Sequence, residues 1–332
     1  MALIAKRVGV SKMTVSRALA KSDLVIPETR KKVLQVAERL GYVPNATVSS
    51  FHSGRSSIVA AIIPEIKGSF FPDLMAGLCD AFADSRFQVL IGNTTFDEAK
   101  EEAIVEAALR RRPEAVILTG ETHTPRTRRL LKAAKIPVIE TWDIPKSPID
   151  QVVGVSDVDA SRAMTHHLAN LGYRRIGFVM SGKAGHSRMA KRHAGYLKGL
   201  EELEVREQRV VAHGGLPMSM QDGADALMLM LSKWPEADAI FFASDAAAFG
   251  ALMECHRRGL RVPQDVAIAG FGNFEVSKSS HPRLTTVSVD AYKLGLSAGN
   301  LILQERAAMR QRGQHRPQSI IIDFEICQRE ST

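Results

Sequence analysis

The chain has 332 residues, 45% apolar and 24% charged, with a formal net charge of +8. That is too long for one small core and fits a small domain plus a larger one, and no apolar run approaches the ~20 residues of a membrane span. Lys6, Arg7 and Lys12 interrupt the N-terminal apolar residues, so no secretory leader is read there. Cys79, Cys255 and Cys327 lie far apart, without metal-ligand spacing. The expectation is a reduced, cytoplasmic setting with no membrane partner, no metal and no cofactor.

The distribution of charge says more than its total. Residues 1–57 hold ten Lys and Arg against three Asp and Glu, while the other 275 residues are almost neutral. A basic head on a neutral body is the electrostatic footprint of a nucleic-acid-binding module. A merely soluble basic terminus is the plainer alternative.

Three short helices are predicted in this head: Leu3–Val8, Lys12–Ala20 and Pro27–Leu40. Gly9 ends the first, because glycine enters the left-handed region past a helix end without a Cβ penalty. Ser11 is a good cap for the second, since its hydroxyl can accept a free backbone N–H. Pro27 opens the third, whose apolar side is Val33, Leu34, Val36, Ala37 and Leu40. Helix, short glycine turn and second helix make a helix-turn-helix layout.

In the second helix Val10, Val15, Ala18 and Leu19 face inward, and Lys12, Met13, Ser16 and Arg17 face outward. Arg17 can donate two parallel hydrogen bonds to guanine O6 and N7, and Lys12 reaches the same acceptors. Met13 can meet a thymine methyl. Ser11, Thr14 and Ser16 are short donors for phosphates, which position without specifying.

The stretch from Val8 to Leu19, VGVSKMTVSRAL, and the later Leu40-Gly41-Tyr42-Val43-Pro44-Asn45 resemble the DNA-binding head of the lactose-repressor/galactose-repressor family. The resemblance implies that Lys12, Met13 and Arg17 are the base-reading positions. Leu3 stands where that family carries a helix-capping Asp, so the first helix is expected to be frayed or the true start to lie upstream. After the head the family folds a hinge helix whose Leu wedges into the minor groove; Phe51 takes that position here, with Val48 beside it. Thr47, Val48, Ser49 and Ser50 are weak helix formers, so the hinge is expected to order only on operator DNA; a plain linker is the alternative.

Beyond residue 57, apolar runs recur at 58–64, 87–93, 115–120, 137–142, 175–181, 209–215, 237–244 and 265–272. Helix-like stretches separate them, such as Phe71–Arg86, Lys100–Arg111 and Arg192–Glu202. Alternation of this kind predicts α/β architecture with doubly wound parallel sheets, and the number of strands predicts two lobes. Ligands of such sheets bind outside the C-terminal strand ends.

The body resembles the same family in Leu171-Gly172-Tyr173, Arg192-His193-Ala194-Gly195-Tyr196 and Pro282-Arg283-Leu284-Thr285-Thr286. That implies a periplasmic-binding-protein-like core. The expected division is a helix-turn-helix domain at 1–46, a hinge at 47–57 and an effector-binding, dimerising core at 58–332. Its N-lobe is expected at about 58–155 and 287–315, its C-lobe at about 156–286 and 316–332.

The tract 118–127 and the segment IPVIETWDIPKSP resemble the gluconate-utilisation repressor branch. The implied effector contacts are Ser69, Phe70, Thr122, His123, Arg126, Trp142, Arg192, Ser244, Asp245 and Gly272. Arg192 matches the family's effector-binding arginine and can clamp a carboxylate or phosphate. In the run Gly270-Phe271-Gly272-Asn273, Gly272 stands where sugar-sensing relatives place an Asp, and Ser244 where an Asn often precedes Asp245. Loss of that carboxylate beside Arg192 favours an anionic effector: gluconate, phosphogluconate or a related sugar acid. The partners expected are double-stranded operator DNA, this acid and a second copy of the chain.

No nucleotide loop, nucleophile elbow or metal set accompanies these residues, which disfavours an enzyme. A transport solute-binding protein is disfavoured by the basic head.

Overall fold

A computed structural model describes residues 1–19, 24–42, 56–66, 70–183, 185–310 and 317–332. The chain divides into two compact units, residues 1–57 and 58–332. Ala20, Val48, Phe51 and Ser69, all named above, lie outside the described residues.

In the first unit, α1 (Ala2–Val8), α2 (Lys12–Leu19) and α3 (Pro27–Arg39) pack around Ile4, Val15, Ala18, Val33 and Ala37. The three- and four-residue spacings put Val15 with Ala18, and Val33 with Ala37, on single helix faces. Gly9 ends α1 at φ 74°. The Thr14 N–H donates to Ser11 Oγ at 3.0 Å, which caps α2 as its sequence predicts. Helix α1 forms without a side-chain cap at Met1, so the missing aspartate does not prevent the helix. Leu34 departs from expectation: it is exposed, being turned about 100° around the helix from buried Val33.

The second unit holds two six-stranded sheets. The N-lobe is built from β1 (Ile58–Ile63), α4 (Phe70–Ala81), β2 (Gln88–Asn93), α5 (Glu98–Leu109), β3 (Ala115–Thr119), α6 (Pro125–Ala134), β4 (Val138–Trp142) and β5 (Gln151–Gly154). The C-lobe follows with α7 (Asp157–Asn170), β6 (Ile176–Met180), α8 (Ser187–Glu202), β7 (Arg209–Ala212), α9 (Met220–Lys233), β8 (Ala239–Phe242), α10 (Asp245–Arg257), β9 (Ala267–Phe271), α11 (Glu275–Ser279) and β10 (Thr285–Val289). Three elements complete the chain: α12 (Ala291–Arg310), β11 (Ser319–Ile321) and β12 (Phe324–Cys327).

Strand order is β11-β5-β4-β3-β1-β2 in one sheet and β12-β10-β9-β8-β6-β7 in the other. Every pairing is parallel except β12 on β10. Central strands such as β4 and β8 are buried along their whole length, as helices on both faces require.

The expected lobe boundaries need correction at the C-terminal end. Strand β10 pairs with β9, so residues 285–289 belong wholly to the C-lobe sheet. Strand β11 pairs with β5, so residues 319–321 belong to the N-lobe sheet. The chain therefore crosses between lobes near 155, near 290 and between 321 and 324. Helix α12 docks on α4 in the N-lobe; any Cβ at Gly77 or Gly295 would overlap the facing backbone oxygens of Tyr292 and Leu74.

Because the strands are parallel, their C-terminal ends collect on one side of each sheet. The loops that leave them carry the residues described next.

Candidate functional site

A wide chamber of about 860 Å³ lies between the lobes, lined by Phe70, Phe71 and Trp142 from the N-lobe and by Met189, Ser244 and Phe271 from the C-lobe, among others. Its walls are chiefly aromatic and aliphatic. Trp142 ends β4 with φ 78°, a left-handed backbone that costs a bulky residue about 1–3 kcal/mol. That turn is held by two bonds: the Trp142 carbonyl accepts from Val155 N at 2.9 Å, and its indole N–H donates to Asp157 at 3.3 Å.

Two arginines one helical turn apart on α8 enter this chamber, and their states differ. Arg192 donates from Nε to Asp157 at 2.8 Å and from Nη1 to the Ala243 carbonyl at 2.6 Å. It also lies 3.5 Å over the Phe271 ring. Arg192 is thus committed to a buried ion pair that ties α8 to α7 and β8. Arg188 is 7% exposed and makes no hydrogen bond or ion pair among the described residues. Its guanidinium lies 4.7 Å over Trp142 and 5.7 Å from the Phe96 ring. Burial disfavours its charge, an effect the Asp143 carboxylate opposes.

The lobes are bridged beside Arg188. Lys191 donates to Glu121 at 2.7 Å and to Asp143 at 3.0 Å, and Lys183 donates to the Phe96 carbonyl at 3.0 Å.

Of the expected effector contacts, Phe70, Trp142, Arg192, Ser244 and Gly272 line the wide chamber. Thr122 lines a separate narrow one. Asp245 stands behind the wall, fully buried, accepting from Phe274 N at 2.7 Å and from the Thr286 hydroxyl at 2.5 Å. Burial lifts its carboxyl to about 6.

His123 and Arg126 face elsewhere, which corrects their expected place at the crevice. Thr124 caps α6 by accepting from Thr127 N, so Arg126 falls in the first turn of that helix. There it reaches Glu102 at 3.0 Å and Glu106 at 2.7 Å on α5. His123 is buried between Glu101 at 2.7 Å and Glu140 at 3.5 Å.

Burial pushes the His123 imidazolium down, but the two carboxylates outweigh it and hold the group at about 9. The folded value lies above the ordinary 6.5, so this stabilisation is complete below pH 6.5 and fades as pH rises through 9. It is worth on the order of 3 kcal/mol. Thermal unfolding should show a midpoint falling between pH 6.5 and 9, with that slope reduced in His123→Gln.

Arg188, Asp143 and Lys191 escape the sequence patterns. The signal for Arg188 is its four-residue spacing from Arg192, which puts both guanidinium groups on one face of α8.

On the first unit, Lys12, Met13 and Arg17 are exposed along one side of α2, with Met13 62% accessible. Thr14 and Ser16 are half-buried, and Ser11 is exposed while capping the helix. The described residues contain no helix long and apolar enough to cross a membrane and no His, Cys, Asp and Glu group fit for a metal ion.

Residues 1–45 match the model of bacterial regulatory proteins of the lacI family, and residues 165–332 match the periplasmic binding protein-like domain. The chain is 30% identical to the HTH-type transcriptional regulator GntR of Pseudomonas aeruginosa, over 99% of this chain and 94% of the relative. It is also 30% identical to the HTH-type transcriptional regulator IdnR of Escherichia coli, over 91% of this chain and 90% of that one. A solved LacI-family transcriptional regulator from Silicibacter pomeroyi superposes with TM-score 0.88 at 30% identity, over 99% of this chain and 97% of that chain. A basic three-helix head, two parallel-sheet lobes and a cleft between them agree with these likenesses across the whole length: the chain belongs to the LacI family, DNA-binding transcriptional regulators that carry a periplasmic-binding-protein-like effector domain.

Proposed function

We propose that the protein is a cytoplasmic, homodimeric repressor released from or locked onto its operator by an anionic sugar acid such as gluconate or phosphogluconate. Lys12, Met13 and Arg17 read base edges in the major groove. Ser11, Thr14 and Ser16 meet phosphates, and Phe51 with Val48 wedges into the minor groove. Two heads related by a dimer axis read a palindrome. The acid acts through its difference in affinity for the two DNA-binding states.

One observation carries the choice of an anion: Arg188 presents a buried guanidinium to the cleft with no hydrogen-bond partner of its own among the described residues. A buried cation of this kind is costly unless paired, and its planar fork matches a carboxylate. The resemblance to the gluconate-utilisation branch supports the same class.

Calorimetry on the full chain tests it. D-gluconate is expected to bind wild-type protein, and Arg188→Met to weaken that binding by about 2–5 kcal/mol while operator affinity stays unchanged. Tight binding of a neutral hexose with none of the acids would contradict the proposal.

A further inference from the structure

The N-lobe strands run parallel, so the turns that lead into them share one edge of the sheet, opposite the cleft. Along that edge the Glu114 N–H donates to the Ile58 carbonyl at 2.7 Å and the Val116 N–H to the Pro137 carbonyl at 3.0 Å, which sets the entries to β1, β3 and β4 side by side. The three helix-to-strand turns there, 82–87, 110–114 and 135–137, hold five Lys and Arg against two Asp and Glu. Lys132 adds a sixth cation one turn earlier on α6. One of the two acids, Glu114, is buried and already shared by Arg86 and Arg306.

Helix C-termini also gather at such an edge and attract cations, at about half a negative charge each. The ends of α4, α5 and α6 therefore do not balance the excess. The C-lobe shows that the architecture does not require it. Its four corresponding turns, 171–175, 203–208, 234–238 and 258–266, carry five Lys and Arg and five Asp and Glu. Arg175, Arg258 and Arg261 there are ion-paired with Asp238, Glu254 and Asp265.

On the N-lobe edge the cations are uncommitted. Arg111, Lys132 and Lys135 are exposed and make no ion pair or side-chain hydrogen bond among the described residues. Arg112 and Lys135 stand at φ 53° and 52°, left-handed backbone that glycine adopts without penalty at a helix end. Long cations on flexible stems, with no fixed partner, suit a polyanion bound for its charge, as a phosphate backbone is. The chain from the DNA-binding head enters this unit at Ile58, on this same edge. Residues 43–55 can span at most about 50 Å, the length of roughly fifteen base pairs, so duplex beside the operator is within reach.

We propose that this edge of the N-lobe is a second, sequence-independent DNA-binding surface, on which Arg111, Lys132 and Lys135 take the phosphates of duplex flanking the operator. It acts on DNA already gripped by the head, so even weak contacts add to affinity through high effective concentration.

Fluorescence anisotropy on the full chain tests it. The probes are a minimal operator from the protein's own upstream DNA, delimited by footprinting, and the same operator with 15 base pairs of scrambled sequence on each side. The wild-type protein is compared with the triple variant Arg111→Gln, Lys132→Gln, Lys135→Gln, checked for folding by circular dichroism. The flanks should tighten wild-type binding about tenfold at moderate salt and steepen the slope of log Kd against log salt by about 2–3, at roughly 0.9 per cation. The triple variant should lose both gains and bind the minimal operator as the wild type does. Flanks without effect, or a gain that survives in the triple variant, overturn the proposal. If the flanks add nothing while poly-L-glutamate binds wild-type protein and not the triple variant, the edge serves an acidic protein instead.

Discussion

Arg192→Ala is expected to destabilise the two-lobed unit by about 3–5 kcal/mol. The reason is the partner it leaves behind. Asp157 is 1% exposed, and the Arg192 guanidinium is its ion-pair partner at 2.8 Å. The same substitution frees the Ala243 carbonyl, which accepts from Arg192 at 2.6 Å. Truncation removes the cation and strands a buried carboxylate, the costly half of breaking such a pair. Arg188→Met should behave in the opposite way. No ion pair is lost, only the guanidinium's contacts with the Trp142 and Phe96 rings, and stability should move by about 1 kcal/mol or less. Urea unfolding of the full chain separates the two. Wild-type stability in Arg192→Ala, with effector binding abolished, would return Arg192 to the role its family resemblance implies.

Arg17→Ala is expected to cost about 1–3 kcal/mol of operator affinity, concentrated at one base pair. Arg17 projects from the exposed side of α2, while its neighbours Val15 and Ala18 are fully buried in the head. The substitution therefore removes a guanidinium from the surface without opening the core. Fluorescence anisotropy across operator variants should show relaxed specificity at a single position. Equal weakening on every sequence would mean that Arg17 contacts phosphate and that another residue reads the base.

The head and the strand-helix alternation were legible because both write their burial into local spacing. Val15 with Ala18 and Val33 with Ala37 follow helical period, and runs such as Ile58–Ile63 are apolar throughout because helices cover both faces. The cleft was legible only where strand ends place it, at Phe70, Trp142, Ser244 and Gly272. The roles of the two arginines were not, because what distinguishes them is Asp157, 35 residues from Arg192 in the chain. His123 shows the same limit: Glu101 and Glu140 reach it from α5 and β4, and nothing local announces a buried triad. The C-terminal strands are short and half-exposed, with patterns too weak to reveal that β11 and β12 serve different lobes.

The most direct test is operator binding itself, measured by anisotropy on the protein's own upstream DNA and on random duplex of equal length, with and without D-gluconate. The upstream fragment should be preferred by several orders of magnitude at moderate salt, and gluconate should shift that preference in wild-type protein but not in Arg188→Met. Equal affinity for both duplexes, or a gluconate response that survives in Arg188→Met, would contradict a DNA-reading head governed by an anion bound in the cleft.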